Sequence, residues 1–457
     1  APGVTGGVPS KISTLALNFS FTFRASGATA DTTRNVASNL ISASSALIMG
    51  GASAPQVATQ LDAAQLAGVG NGSGRLLIAA GGTGATTQTF ASTTLGTGAS
   101  DIVITSSGTR TALLTLGAIT RGRGATLFIG QPANTLSATN GIRTTSGTAN
   151  TVLADANGTA YAVTGANGTT VNEWVGKNAG GWLAPIGAAS YTPSVVATTT
   201  YAAGINLDVV NTNTGQWATQ TINTLRFNNT NALTATIAAG NTLTISTGGI
   251  LIGSSAGAST LTGGTIIPGA GRELVVFANG NTLTINSVLG QSSGGATDVT
   301  FRGLVSVGLA KNDVLLNANS TYSGDTYISG VRVRTDVNTV TAPFGTGLNG
   351  NIYIYGNNGG QFQSADNVTL AARNWYIIGG GWEESSGGNH HGAIRLGNGA
   401  TLQGTLNLMG DSSIRTTGTL ATVSAKLFGD FNLKARSGAG DGTINFTADN
   451  TGWAGSF

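Results

Sequence analysis

Gly-Asn-Thr-Leu-Thr-Ile stands unchanged at Gly240 to Ile245 and again at Gly280 to Ile285, inside a chain of short Thr/Val/Ile/Leu alternations broken by Gly and Asn. A turn residue followed by a period-2 strand has one apolar face and cannot bury it alone. It has to lie on another copy of the same unit. The repeat therefore predicts stacked coils, each copy resting on a neighbouring one, and announces an architecture rather than a reaction.

Composition agrees. The chain has 457 residues with no charged linker that would divide it into globular units. Charged residues make up 9%, against roughly a quarter in ordinary domains, and Gly supplies 71 positions. The surface is thus a coat of Thr, Ser, Asn and Gly, which suits an exported protein. Net charge is +3, from 21 basic and 18 acidic side chains. Basic residues so thinly spread exclude nucleic acid as the expected partner, because binding it takes clustered Lys and Arg. The local pairs are Arg121 with Arg123 and Arg332 with Arg334; the latter reads as the solvated face of a strand whose Val331 and Val333 point inward. With no Cys, disulfides and thiolate metal sites are excluded. No apolar run approaches the roughly 18 residues that span a bilayer. The opening Ala1-Pro2 reads as a processed product. An extracellular or cell-surface location without cofactors is the expectation.

Four regions follow from the pattern. Residues 1–74 form an N-terminal cap: Leu15, Leu17, Phe19, Phe21 and Phe23 share one face of a long edge strand that covers the stack or pairs with a second molecule. A short helix is expected over Pro55 to Ala67, with Val57, Leu61 and Ala64 at helical spacing. Residues 75–149 read as a first solenoid segment, with strands at Leu76 to Ile78, Ile102 to Ile104, Leu113 to Leu116 and Leu127 to Ile129. Residues 150–219, with Trp174, Trp182, Pro185 and Pro193, read as a loop-rich excursion. Residues 220–457 are the main segment. Coils of about 20 to 25 residues rising about 4.8 Å each predict a rod on the order of 80 to 100 Å. Propeller blades would also repeat at forty residues, but no Trp here precedes Asp.

Two places carry a more specific signature. Asn319, Tyr322 and Gly324 precede a strand that opens at Thr326, and Asn450, Trp453 and Gly455 keep those offsets up to Phe457. This resembles the autotransporter-associated β-strand repeat of bacterial passenger domains. Ile222 to Asn228, Gly248 to Leu251 and Leu261 to Gly264 resemble the segment preceding that repeat, and Thr87 to Phe90 with Gly117 to Thr120 are similar to its upstream part. The resemblance implies an all-β, right-handed parallel β-solenoid serving as a stalk, adhesin or fibre, with no catalytic residues in the repeat. A translocator barrel is not found in this sequence. Physically, Gly324 and Gly455 sit where a β-carbon would obstruct a turn, Asn319 and Asn450 satisfy turn amides or form a stacked row, and the aromatic covers the corner. The second motif is cut at Phe457, so an uncapped coil and end-to-end association are expected.

Candidate chemistry is sparse. His390 and His391 lie near Glu383 and Glu384, yet neighbours on a strand face opposite sides, so solvated loop histidines are expected over a weak metal site. Gly438 to Gly442 is half of a calcium-binding nonapeptide without its partner coil. Gly70 to Gly74 lacks the phosphate-loop Lys. Parallel β-solenoids can host glycan-cleaving enzymes, but no two acidic residues here are adjacent except Glu383 and Glu384, which would face opposite sides of a strand, so no enzyme is expected. An aromatic set is the best binding candidate: Tyr353 and Tyr355 outward, followed by Trp375, Tyr376 and Trp382, as a flank for a surface glycan or a second subunit. The expected function is a non-catalytic, self-associating structural protein; a carbohydrate-binding adhesin and, last, a glycan-cleaving enzyme are the alternatives.

Overall fold

The computed structural model describes residues 14–17, 20–24, 46–49, 73–79, 85–105, 111–132, 134–166, 170–304, 313–345, 350–382, 390–436 and 442–457. Their structure is a parallel β-solenoid. Gly, Asn and Ser bend the chain every few residues, so most strands occupy one side of a coil, while Thr242–Ile252 and Gly404–Thr416 run around a corner onto a second side, and β-branched residues between the bends favour extended backbone. The helices among the described residues are two 3-10 turns, Ala188–Ser190 and Gly356–Asn358.

The first stack has three faces. Face a holds Thr14–Leu17, Ala46–Met49, Ser92–Leu95 and Ala118–Arg121. Face b holds Ser20–Arg24, Ser73–Ala79, Gly98–Thr105, Ala125–Gln131 and Ala162–Ala166. Face c holds Ala85–Thr89, Thr111–Thr115 and Gly141–Arg143. All these pairs are parallel. The single long strand expected from Leu15 to Phe23 is instead two strands on two faces, separated by residues 18–19, each paired in parallel with the next coil. Alternation cannot tell one strand from two when the corner between them is short. Phe19 and the helix expected over 55–67 lie outside the described residues.

The direction reverses after this stack. Glu173–Lys177 pairs antiparallel with Ala162–Ala166, Thr151–Val152 and Leu183–Pro185. Parallel pairing resumes at Tyr191–Pro193 on Asn206–Val209. From there a second stack runs to the last described residues. On its face d, Leu225 is aligned with Ile250, and the line continues through Val276, Phe301, Ile328, Ile354 and Ile377 to Leu408. Its offsets give a coil of about 25 residues. Face e carries the line Leu283, Val314, Val333, Phe362, Ile394 and Ile414. Face f carries Leu243, Ile266 and Leu289, and later Leu402, Val423 and Phe446. These inward lines form one continuous core, and the first stack has its own.

The twin hexapeptides do not rest on each other. Leu243 and Ile245 belong to face f, whereas Leu283 and Ile285 belong to face e. Forty residues is about one and two-thirds coils, so the second copy falls on a different side. All four side chains are nonetheless buried. Each side of a three-sided coil demands the same inward Leu/Ile alternation, and the hexapeptide satisfies it on any side.

Nor do the stacks continue end to end. Face b packs sideways on face d. A third core lies between them, with Val103, Phe128 and Val163 from face b, Leu251, Val275 and Phe277 from face d, and Trp174 from the reversal. Trp174 meets the Phe277 ring edge-on at 5.7 Å. Progress along the chain is opposed in the two stacks: Trp174 lies against Gly249, Gly124 against Tyr327, and Asp101 reaches Arg302. Eleven strands on face d, ten steps of about 4.8 Å, make the second stack on the order of 50 Å long. The unbroken rod of 80 to 100 Å is replaced by two shorter stacks laid alongside.

Coil corners vary in length while the register holds. From face a to face b the chain takes two residues between Leu95 and Gly98, three between Arg121 and Ala125, and twenty-three between Met49 and Ser73.

Candidate functional site

Most of the buried charge lies in the seam between the stacks. Arg121 leaves the end of a face a strand and turns into the seam, where Nη1 donates to Asp155 Oδ2 at 2.9 Å and Nη2 to Glu273 Oε2 at 2.6 Å. Its side chain is 1% exposed and Glu273's 2%. Burial alone would lower the Arg121 pKa; the two carboxylates more than offset it and hold it above the ordinary value. Glu273 also accepts from Thr300 Oγ1 and from the Gly124 amide. Gly124 has φ +73°, and a β-carbon there would fall 2.5 Å from the Tyr327 ring, so only Gly lets this corner close on face d. Arg123 bonds Asp298, and Arg302 donates to Asp101 at 2.8 Å. Burial depresses the Arg302 pKa, only partly offset by Asp101. These groups neutralise one another across the seam, leaving a clamp rather than an acid and a base facing a cleft.

The two Asn/aromatic/Gly motifs build corners. Asn319 Oδ1 accepts from the Ala342 amide and Asn450 Oδ1 from the Leu427 amide, both at 2.8 Å. Each amide side chain bridges to a neighbouring rung, one toward the next and the other toward the previous. Tyr322 is fully buried, its hydroxyl 2.7 Å from Thr326 Oγ1. Trp453 packs partly buried against the core and donates Nε1 to Phe431 O at 3.2 Å. A β-carbon would lie 2.2 Å from Asp298 Oδ1 at Gly324, and 1.9 Å from Phe431 O at Gly455. Close approach to the neighbouring rung, more than turn conformation, selects Gly at both.

The aromatic set divides. Tyr327, Tyr353 and Tyr376 stack on successive rungs of face d, with centroids 5.1 and 4.9 Å apart and planes inclined by 7° and 24°. Tyr353 and Tyr376 are half-buried and outward. Beside them runs a polar file: Asn351 donates to Tyr353 Oη at 3.1 Å, Asn374 to Asn351 Oδ1 at 3.3 Å, and Thr405 to Asn374 Oδ1 at 3.0 Å. At its head, burial raises the Asp325 pKa, opposed by the Asn351 amide that its carboxylate accepts. Tyr355 faces outward but is covered in the seam, near Thr97. Trp375 departs from the expectation of an outward ring. It is aligned with Ile352, so it points inward and packs with Phe344 and Phe362. Trp382 is half-buried at the corner after the strand, where its carbonyl accepts the His391 amide.

Other candidates resolve simply. His390 Nδ1 lies 3.2 Å from Gly381 O, and Arg415 Nη1 lies 2.6 Å from His391 Nδ1. Among the described residues no three His, Asp or Glu side chains converge as a metal site would need. Glu383, Glu384 and 438–441 lie outside the described residues, as do 70–72. Arg332 and Arg334 are outward on face e around inward Val333 and pair with Asp313 and Asp336. No helix among the described residues is long and apolar enough to cross a membrane. Comparison with family models, curated proteins and solved structures returns no match.

The seam is what sequence reading missed. Its signal is the loss of alternation: Leu127-Phe128-Ile129, Ile250-Leu251-Ile252 and Leu274 to Phe277 are continuous apolar runs, the mark of strands buried on both faces.

Proposed function

We propose that this chain is a non-catalytic extracellular structural protein, a stalk, fibre or surface-layer subunit of the kind the autotransporter-repeat resemblance implies, which associates with copies of itself through solenoid ends and edge strands. The observation that carries the reading is the parallel ladder itself: from Tyr191–Pro193 to Lys426–Phe428 the rungs of face d pair in parallel around one continuous apolar core, an architecture that builds a scaffold and presents strand edges for pairing. The pairing of seam carboxylates with arginines supports a non-catalytic role, because a general acid or base has to reach a substrate. Negative-stain microscopy with sedimentation at rising concentration tests this. Filaments, sheets or reversible association are expected, and single particles of monomer mass at every concentration would refute it.

A carbohydrate-binding adhesin is the second reading, favoured by the half-buried Tyr353 and Tyr376 strip. Its weakness is that those rings cover one another's faces, while Trp375 and Tyr355 are unavailable.

A further inference from the structure

The early rungs of face e repeat one side chain in two directions. Leu233–Thr236, Ser259–Thr262 and Leu283–Ile285 lie on one another in parallel, with Thr234 aligned with Thr260, Thr260 with Thr284, and Thr236 with Thr262. All five threonines are outward and half-buried, and they alternate with buried residues on the core side. Every outward position of these three strands is Thr, so the array holds no charge and no ring. Among the described residues none of the five hydroxyls is engaged within the chain. The face changes on the next rung, where Leu315 is aligned with Thr284 and Asp313 opens the strand.

The spacing of this array suits a lattice of water. Rungs stand about 4.8 Å apart, and alternate residues of a strand lie about 6.6 Å apart at right angles to that direction. Water molecules joined at tetrahedral angles by hydrogen bonds of about 2.75 Å repeat at about 4.5 Å in one direction and about 7.3 Å across it. The mismatch is about 0.3 Å per rung and about 0.7 Å along the strand, which keeps the hydroxyls of three rungs within about 1 Å of lattice positions. It would reach half a repeat only after about seven rungs.

We propose that this part of face e binds the surface of ice. Threonine is stiff at χ1 and each rung is fixed by its ladder to the next, so the array needs little ordering when it meets a lattice. Each hydroxyl offers one donor and two acceptors and stands in for a water of the crystal, while the methyl beside it sheds its hydration on contact. Charged side chains, whose own hydration shells would compete with the lattice, are absent from the array. A crystalline glycan is the other regular surface to weigh, but sugar rings pack on aromatic side chains, and the array has none. The inference goes beyond the assembly reading and does not depend on it.

The test is slow growth of ice in a solution of the whole protein, with assay of both ice and liquid, and coarsening of small ice crystals held just below melting. The protein should enter the ice and arrest coarsening. Thr260→Lys/Thr262→Lys, which places two long cations in the middle of the array, should leave it in the liquid. Thr221→Lys, at an exposed threonine of face f, should enter the ice as the parent does. Should the double variant misfold, Thr260→Val/Thr262→Val keeps the shape and removes only the hydroxyls. It should raise the concentration that arrests coarsening about tenfold or more, two hydrogen-bonding groups being worth at least that factor. Exclusion of the parent from ice, equal entry of the face e variants, loss through Thr221→Lys instead, or retention on crystalline chitin with exclusion from ice would overturn the proposal. Particle mass and micrographs bear only on the assembly reading.

Discussion

Glu273→Gln isolates the clamp between the two stacks. The substitution keeps the size of the side chain and an oxygen for the Gly124 amide, but removes the charge 2.6 Å from Arg121 Nη2. Breaking a buried ion pair from one side costs about 3 to 5 kcal/mol, because the remaining charge stays desolvated. Arg121 retains Asp155, which places the cost near the lower bound, about 3 kcal/mol. If the stacks part before either unfolds, that energy appears as local opening. Amide exchange in segments 118–131 and 273–278 should then accelerate on the order of 100-fold, at 1.4 kcal/mol per factor of ten. Segments 401–408 and 420–427, far along the second stack, should exchange as before. Mass spectrometry of exchanged peptides reads both at once, and fluorescence of Trp174, buried in the seam, should redden in milder denaturant. A uniform acceleration through both stacks would refute the separable seam, and a change of less than about threefold, under 1 kcal/mol, would refute the clamp.

Two further outcomes follow. Trp375→Ala should cost about 3 to 5 kcal/mol, whereas Tyr376→Ala, losing one outward stacked ring, should cost about 0.5 to 1.5 kcal/mol beyond area; denaturant midpoints compare them, and equal costs would contradict the inward assignment of Trp375. The pKa values of Tyr161, Tyr191, Tyr322, Tyr327 and Tyr355 are raised above 10.0, chiefly by burial. Since the folded values exceed the unfolded ones, their contribution is complete below about pH 10 and is lost as pH rises toward the folded values. Phenolate absorbance should therefore appear in one cooperative step together with loss of β-sheet dichroism, and smooth titration with the sheet signal intact would count against it.

Much of this architecture could be read from residue order. Alternating Leu, Ile and Val with Gly-Asn punctuation marks short parallel strands, whereas the bonds that Asn319 and Asn450 accept from amides of neighbouring rungs depend on which rungs the stack brings together. The fold-back was harder. Arg302 and Asp101 are 201 positions apart and Arg123 and Asp298 are 175, and nothing in a sparse scatter of charges couples them. The lateral contact left its trace only in apolar runs without alternation, which resemble any buried strand. The aromatic set misled for a different reason. Trp375 and Tyr376 are neighbours with opposite directions, and only register with Ile352 and Tyr353 decides which ring faces water. The hexapeptide misled because three sides of a coil share one pattern.

The uneven corners of the first stack bear on how such a molecule diversifies. Each rung is positioned by its ladder to the rung beneath, so extra residues at a bend leave the next rung's partners unchanged, whether two residues or twenty-three connect the faces. The strands on either side of the long connection keep the same parallel register as those joined by a short one. A chain built this way can acquire new surface projections one bend at a time while its spine keeps the same pitch.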